Sequence, residues 1–322
     1  MRFLLENVPY NEPDDSVTSN QQNGNEAEVL GAANLLRAMG AEVSWGSRNE
    51  DGRKIDLIAS YDHPWIKKER VLILVQVKSG PTYGEKTVDG FKLFSASKKA
   101  VMRTSHPICL IWIDREIQCN YWAYIHPHST PSNQTYKDNH RISPPMRFDI
   151  ARSQSKFIPN KQGGKGVIMP FGDFSDLKQR RSTVLNEYKS LKNKNLVNPN
   201  LGIVEITRIG WRHMFRKNRA AQNKESSLVV IPYLEKIIQD KPTSIYVSDL
   251  INKAQDNYKY RRSEYVLSYE DVKLFKAGAT NSVKVVIRLI EEIRWPEDWI
   301  SNAYLSQLID RKVSLLSSYY KE

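Results

Sequence analysis

A chain of 322 residues exceeds the usual size of one domain, so two domains are expected, each with its own core. Apolar residues make up 40% and charged residues 26%, the composition of an ordinary globular protein rather than a disordered or fibrous one. The formal charge of +12 favours polyanionic partners such as nucleic acid, and no apolar run approaches the roughly 20 residues of a membrane span.

Residues 1–24 are rich in Asn, Asp, Ser and Gln, a polar composition that predicts a loose arm. They contain no basic stretch leading into an apolar one, so a cytoplasmic rather than a secreted protein is expected. From Glu26 to Met39 the apolar positions Val29, Ala32, Ala33, Leu36 and Met39 recur at helical spacing, and Gly40 supplies the stop. Three strands are predicted next, at Ala41–Trp45, Lys54–Ser60 and Val71–Lys78. The third, VLILVQVK, reads as a strand buried on both faces. A second helix is predicted over Val88–Arg103, then strands at Ile108–Ile113 and Asn120–Ile125. The resulting order, αβββαββ, predicts an α/β domain with a mixed sheet flanked by helices.

The Pro-, Ser- and Asn-rich stretch after His126 predicts a linker at 129–149. An α+β domain is expected over 150–322, with a basic helix at Phe174–Lys194, an amphipathic one at Ser226–Asp240 broken at Pro232, a strand at Ser282–Leu289 and a terminal helix at Glu297–Tyr320. Cys109 and Cys119 lie in successive strands and can face each other across a hairpin, but they read better as buried free thiols. The His126-Pro-His128 pair reads as loop. Walker, dinucleotide-binding, serine-hydrolase and zincin motifs are absent, which lowers the expectation of those chemistries.

Asp56 opens the second predicted strand, while Gln76 and Lys78 stand two residues apart on the third and so project from the same face. If those strands are neighbours, a carboxylate, an amide oxygen and an ammonium converge. Phosphodiester hydrolysis needs a cation that neutralises charge on the phosphate and acidifies the attacking water, and hard cations such as Mg²⁺ or Mn²⁺ prefer oxygen ligands. Asp56, Gln76 and the main-chain carbonyl of Val77 can supply them, leaving Lys78 to position the water or stabilise the phosphate. Gln and Lys are costly in a run that otherwise reads as core, a cost usually offset by a function or a partner.

This element order, with Asp56 on the second strand and Gln-Val-Lys on the third, resembles the PD-(D/E)XK nuclease superfamily of restriction enzymes, Holliday-junction resolvases and Mrr-like enzymes. Within it, the likeness is to a bacterial branch with Gln-x-Lys as third motif, often encoded near phage-defence genes. The resemblance covers about residues 25–128. It implies a restriction-endonuclease-like fold, a metal-dependent endonuclease acting on DNA ahead of RNA, and a Glu on the first helix facing the metal. Glu26 and Glu28 both qualify for that role, and the spacing to Gly40 favours Glu28. Gln76 departs from the commoner Glu or Asp, which keeps open a catalytically inactive nuclease fold serving as a nucleic-acid-binding or scaffolding subunit. Cutting both strands with one site per chain favours a homodimer or a partner subunit.

In the C-terminal half no family is recognised. Arg208, Arg212, Arg216, Lys217 and Arg219 cluster around Trp211 and Phe215, and basic residues interleaved with aromatics suit a phosphate-tracking surface with stacking platforms. The competing reading is a solvated basic face whose aromatics belong to the core.

Overall fold

The computed structural model describes residues 15–46, 55–95, 97, 106–116, 119–126, 134–155, 166–171, 177–276, 278–301 and 308–321. Helix α1 (Asp15–Met39) begins within the segment predicted to be a loose arm. Polar residues here propagate a helix whose C-terminal half is held by packing, through Ala27, Leu35, Ala38 and Met39. Gly40, at φ +63°, ends it and donates its N–H to the Leu36 carbonyl at 2.9 Å.

Strands β1 (Glu42–Trp45), β2 (Leu57–Asp62) and β3 (Arg70–Ser79) follow as predicted. On β3 Leu72 is exposed, so burial on both faces is confined to Val75–Val77. The predicted second helix is corrected at its start. Residues 84–93 form a hairpin of β4 (Gly84–Thr87) and β5 (Gly90–Leu93), because Asp89-Gly90 is turn chemistry. Gly90 has φ +158°, and a Cβ there would lie 1.9 Å from the Tyr136 carbonyl oxygen, a position that only glycine fits. Residues 96 and 98–103 of that predicted helix lie outside the described residues. Strands β6 (Ile108–Asp114) and β7 (Cys119–Ile125) match their predictions.

The described strands give a sheet in the order β1-β2-β3-β6-β7, with β3 and β6 parallel and the pairs β1-β2 and β6-β7 antiparallel. β5 also pairs with β8 (Thr135–Lys137), and that small sheet lays Phe91 and Tyr136 against Trp112 and Tyr121 of the main one. Cys109 is registered opposite Tyr124 and Cys119 opposite Asp114, so the thiols do not face each other. Burial pushes the Cys109 thiol up to about 12.

The chain divides into two compact units, one of the described residues up to Tyr61 with Leu72–Met146, the other of Asp62–Val71 with residues from Arg147 onward. The division at Met146 falls inside the predicted linker, whose described part contains β8, a 3₁₀ turn at Asp138–His140 and the start of α2 (Met146–Ser155). The tip of the β2–β3 hairpin thus belongs to the second unit. Its Trp65 donates an indole hydrogen bond to the Pro199 carbonyl at 3.1 Å and lies against Gly202.

In the second unit β9 (Ile168–Pro170), α3 (Leu177–Ser190), the short strands β10 (Val197–Asn198) and β11 (Gly202–Ile203), α4 (Arg208–Met214), α5 (Ala221–Val230) and α6 (Leu234–Gln239) precede a large sheet. The expected break near Pro232 is a 3₁₀ turn at Ile231–Tyr233. The sheet runs β12 (Ser244–Gln255), β13 (Tyr258–Lys276), β14 (Ala279–Pro296) and β15 (Asp310–Lys321), all antiparallel, with β9 added along β13. The sequence pattern assigned no element to β12 and β13. Of the predicted terminal helix, residues 302–307 lie outside the described residues and residues 310–320 are corrected to β15. A register shift opposite Arg288/Leu289 breaks the period of two, so apolar residues fall at 313, 315, 316, 319 and 320, a spacing that mimics a helix. No helix among the described residues is long and apolar enough to cross a membrane.

Candidate active site

Asp56 stands just ahead of β2 and ties three strands together. Its N–H donates to the Val75 carbonyl and its carbonyl accepts from the Gly46 N–H, both at 2.9 Å. Where the β2 backbone gives out, its carboxylate takes over as ladder partner, and Oδ2 accepts the Val77 N–H at 2.6 Å. In an extended strand the N–H and C=O of one residue lie on the same edge, so the Val77 carbonyl lies on that side too.

Lys78 Nζ is 4.0 Å from Asp56 Oδ2, and its side chain is 19% exposed against 4% for Asp56. Nζ also lies 5.7 Å from the centre of the Tyr83 ring. Gln76 is 0% exposed, yet among the described residues neither its Oε1 nor its Nε2 has a hydrogen-bond partner. A buried, unpaired amide costs roughly 1–3 kcal/mol per group, so it stands out against the apolar residues around it.

The parallel register sets Gln76 beside Leu110 and Lys78 beside Trp112, which places both on the sheet face that carries the aromatic cluster. Val77 points to the other face, where α1 lies over it. A Cβ on Gly31 would meet Val77 Cγ2 at 3.1 Å. Glu28 precedes Gly31 by one turn and sits at the edge of the buried face of α1, while Glu26 is exposed. The fold therefore brings Asp56, Gln76, Val77 and Lys78 together, and sets Glu28 on a helix covering the face opposite to Gln76 and Lys78. Among the described residues no three His, Cys, Asp or Glu side chains gather as a metal-ligand group. The donors at hand are one carboxylate, one unpaired amide and one main-chain carbonyl. That all-oxygen set suits Mg²⁺ or Mn²⁺ rather than zinc.

The basic segment divides in two. Arg208, Arg212, Arg216 and Lys217 are exposed. Trp211 and Phe215 pack against the core of the second unit, 4.2 Å apart, with Tyr188 beside Trp211 at 5.3 Å. Partly buried there, they help to hold α4 in place. Arg219 is turned inward, donating to the Met214 carbonyl at 3.1 Å and lying over the Tyr319 ring. Burial, with Arg216, Arg288 and Arg219 nearby, holds His213 below the usual imidazole range. His126 lies edge-on to Tyr124, and His128 is outside the described residues.

One polar cluster escaped the sequence reading. Glu291, fully buried, accepts both carboxylate hydrogen bonds from Arg152 at 2.8 and 2.9 Å, another from Arg311 Nε at 2.8 Å and one from the Tyr265 hydroxyl at 3.1 Å. Its signal was the inward series Val285, Ile287, Leu289 and Ile293, which puts Glu291 on the apolar side of β14. No protein-family model, curated protein or solved structure matches this chain.

Proposed function

We propose that the first unit is a metal-dependent nuclease of the PD-(D/E)XK type, hydrolysing phosphodiester bonds in DNA ahead of RNA as part of a bacterial defence or restriction system. The observation that carries this reading is the meeting of Asp56, Lys78 and an unpaired, buried Gln76 amide on neighbouring strands. The sheet order β1-β2-β3-β6-β7, with β6 parallel to β3, supports the restriction-endonuclease-like fold class. Asp56, Gln76 Oε1 and the Val77 carbonyl would hold the cation, which when bound supplies charge neutralisation and an acidified water. Lys78, the most exposed member, is the group able to meet the phosphate. The second unit selects the substrate or mediates assembly with a second copy or another subunit.

A second reading, a nuclease fold without catalysis that binds nucleic acid or serves as a scaffold, is favoured by one specific fact. The Asp56 Oδ2 is already engaged by Val77 and faced by Lys78, while Gln76 lies wholly below the surface. Incubating the purified chain with plasmid DNA and with RNA, each with Mg²⁺ or Mn²⁺, separates the two. Cleavage that chelator abolishes supports the enzyme, and binding without cleavage of either substrate supports the second reading.

Gln76→Glu is expected to keep or raise activity and to tighten Mg²⁺ binding, because a second carboxylate adds anionic charge beside Asp56 and Lys78. Calorimetric titration with Mg²⁺ checks this, and weaker binding in the variant would assign Gln76 another role, such as a hydrogen bond to substrate.

The exposed arginines of α4 and the turn after it are proposed as phosphate contacts. Changing Arg208, Arg212 and Arg216 together to Ala should make the dependence of log affinity for DNA on log salt shallower by roughly two to three. Arg219 is left out because it is tied to Met214. An unchanged slope would mean that these arginines face only water or a protein.

A further inference from the structure

Alternate residues of a strand share a face, so Val286 and Arg288 of β14 stand together, on the side of the large sheet opposite to Glu291. The register sets Tyr319 of β15 beside Val286 and Lys321 beside Lys284, so these belong to the same face. Its described acidic side chains are matched. Glu264 of β13 accepts from Arg288 Nε at 2.6 Å, and Glu270 pairs with Lys284 at 3.1 Å. Farther along the strands Glu292 is registered between Arg262 and Lys312, and Asp310 pairs with Arg294.

Further cations gather around Tyr319. Arg219, in the turn after α4, holds its guanidinium 5.6 Å from the centre of the Tyr319 ring, and Lys321 Nζ lies 5.9 Å from the same centre. Arg219 gives Nη1 to the Met214 carbonyl at 3.1 Å, and its Nε and Nη2 have no acceptor among the described residues. Its main-chain N–H closes on the Arg216 carbonyl at 3.2 Å, so the two side chains leave one tight turn, and that of Arg216 is exposed. Burial, with the guanidinium groups of Arg216 and Arg288 nearby, holds Arg219 below its ordinary range, and His213 is held down in the same way. Around Tyr319 the described cations Lys284, Arg288, Lys321, Arg216 and Arg219 thus outnumber the carboxylates Glu264 and Glu270. Like charges this close repel, a cost that a bound anion removes. Phosphate oxygens match guanidinium donors best, and an Arg219 already seated on Tyr319 and Met214 loses little further freedom on meeting one. The cations continue through the exposed Arg212 and Arg208 of α4, spaced one helical turn apart, a run that a nucleic-acid backbone can follow and a single small anion cannot.

We propose that Arg216, Arg219 and Arg288 form a seat for backbone phosphates of DNA, and that Glu264 tempers it by competing for the Arg288 guanidinium. The seat rests on the reading of the α4 arginines as nucleic-acid contacts and carries that surface onto the sheet. It does not depend on whether the first unit cuts.

The test is fluorescence anisotropy of a labelled DNA duplex titrated with the full chain, without divalent ions, over a series of salt concentrations. Glu264→Gln keeps an acceptor for Arg288 and frees its charge, so binding should tighten and log affinity should fall with log salt more steeply by about one unit. Arg219→Gln should weaken binding and make that slope shallower by about one unit. Asp310→Asn, on the same face but roughly 20 Å along the strands from Arg288, should leave the slope as it is. Melting curves check each variant, and a loss of stability in Arg219→Gln leaves the decision to Glu264→Gln. Equal steepening in Glu264→Gln and Asp310→Asn would reduce the effect to overall charge and overturn the seat. An unchanged slope in Glu264→Gln, while the wild type binds DNA and the Arg208, Arg212 and Arg216 triple variant binds it more weakly, would overturn the seat alone. No DNA binding by the wild type would overturn it together with the reading on which it rests. Calorimetric titration with inorganic phosphate should show weak binding, and tight phosphate binding without DNA binding would overturn the proposal in favour of a small-anion site.

Discussion

Asp56→Asn and Lys78→Ala are each expected to reduce plasmid cleavage on the order of a hundred- to a thousandfold, the usual cost of removing one group that stabilises charge in the transition state. The choice of Asn at position 56 matters. Asp56 Oδ2 accepts the Val77 N–H at 2.6 Å, so alanine would leave a buried donor unpaired and cost about 1–3 kcal/mol of stability, confusing a folding defect with a chemical one. Asparagine keeps an acceptor at that place and removes only the charge. The Lys78 side chain is 19% exposed and its Nζ stands 4.0 Å from Asp56 Oδ2, so its truncation removes a weak ion pair and some packing of the methylene stem, a loss that melting curves gauge. Initial rates of plasmid relaxation, read beside melting curves, decide the matter. If Asp56→Asn cuts at the wild-type rate, the carboxylate only splices β2 to β3 and the catalytic reading fails.

The core of that site was legible because strand alternation is local. Gln76 and Lys78 had to share a face whatever β3 packed against, and Asp56 needed only β2 beside β3, which the sheet order provides. The helix glutamate was not legible, because which face α1 covers depends on how Gly31 seats on Val77, a tertiary contact that spacing to Gly40 does not encode. Nor was the role of Trp211 and Phe215. Basic residues among aromatics look the same whether the rings face nucleic acid or pack on Tyr188 and one another. The β4–β5 hairpin was hidden by a helical count that ran across Asp89-Gly90, where turn chemistry outweighs periodicity. β15 was hidden by its register shift. In β13 the charged residues Arg261, Arg262 and Glu264 interrupt any apolar alternation; Arg262 is exposed, while Arg261 and Glu264 are accommodated by ion pairs to Asp149 and Arg288 that form only in the folded chain.

Glu291→Ala is expected to destabilise the second unit by about 3–5 kcal/mol, since deleting the anion of a buried ion-pair cluster leaves its cations uncompensated. Arg152 would lose both of its bonds to Glu291, and Arg311 would keep only its bond to the Leu201 carbonyl, at 2.7 Å. The cavity left by the side chain adds to the loss, so Glu291→Gln, which keeps the volume, is the cleaner probe of charge. Although burial alone would raise the carboxyl, Arg152, Arg311 and Arg261 together hold Glu291 down at about 2, against an ordinary value of 4.5. Because the folded value is the lower one, the stabilisation is fully present above the unfolded value, near pH 4.5, and is lost as the pH falls through that value towards 2. A shift of this size corresponds to about 3 kcal/mol. Urea unfolding followed by tryptophan fluorescence, at neutral pH and again near pH 3, should show wild type losing more stability on acidification than Glu291→Gln. Equal acid sensitivity in the two proteins would mean that Glu291 is not what couples this sheet to pH. A Glu291→Gln variant as stable as wild type at neutral pH would show further that the three arginines are balanced by some other group.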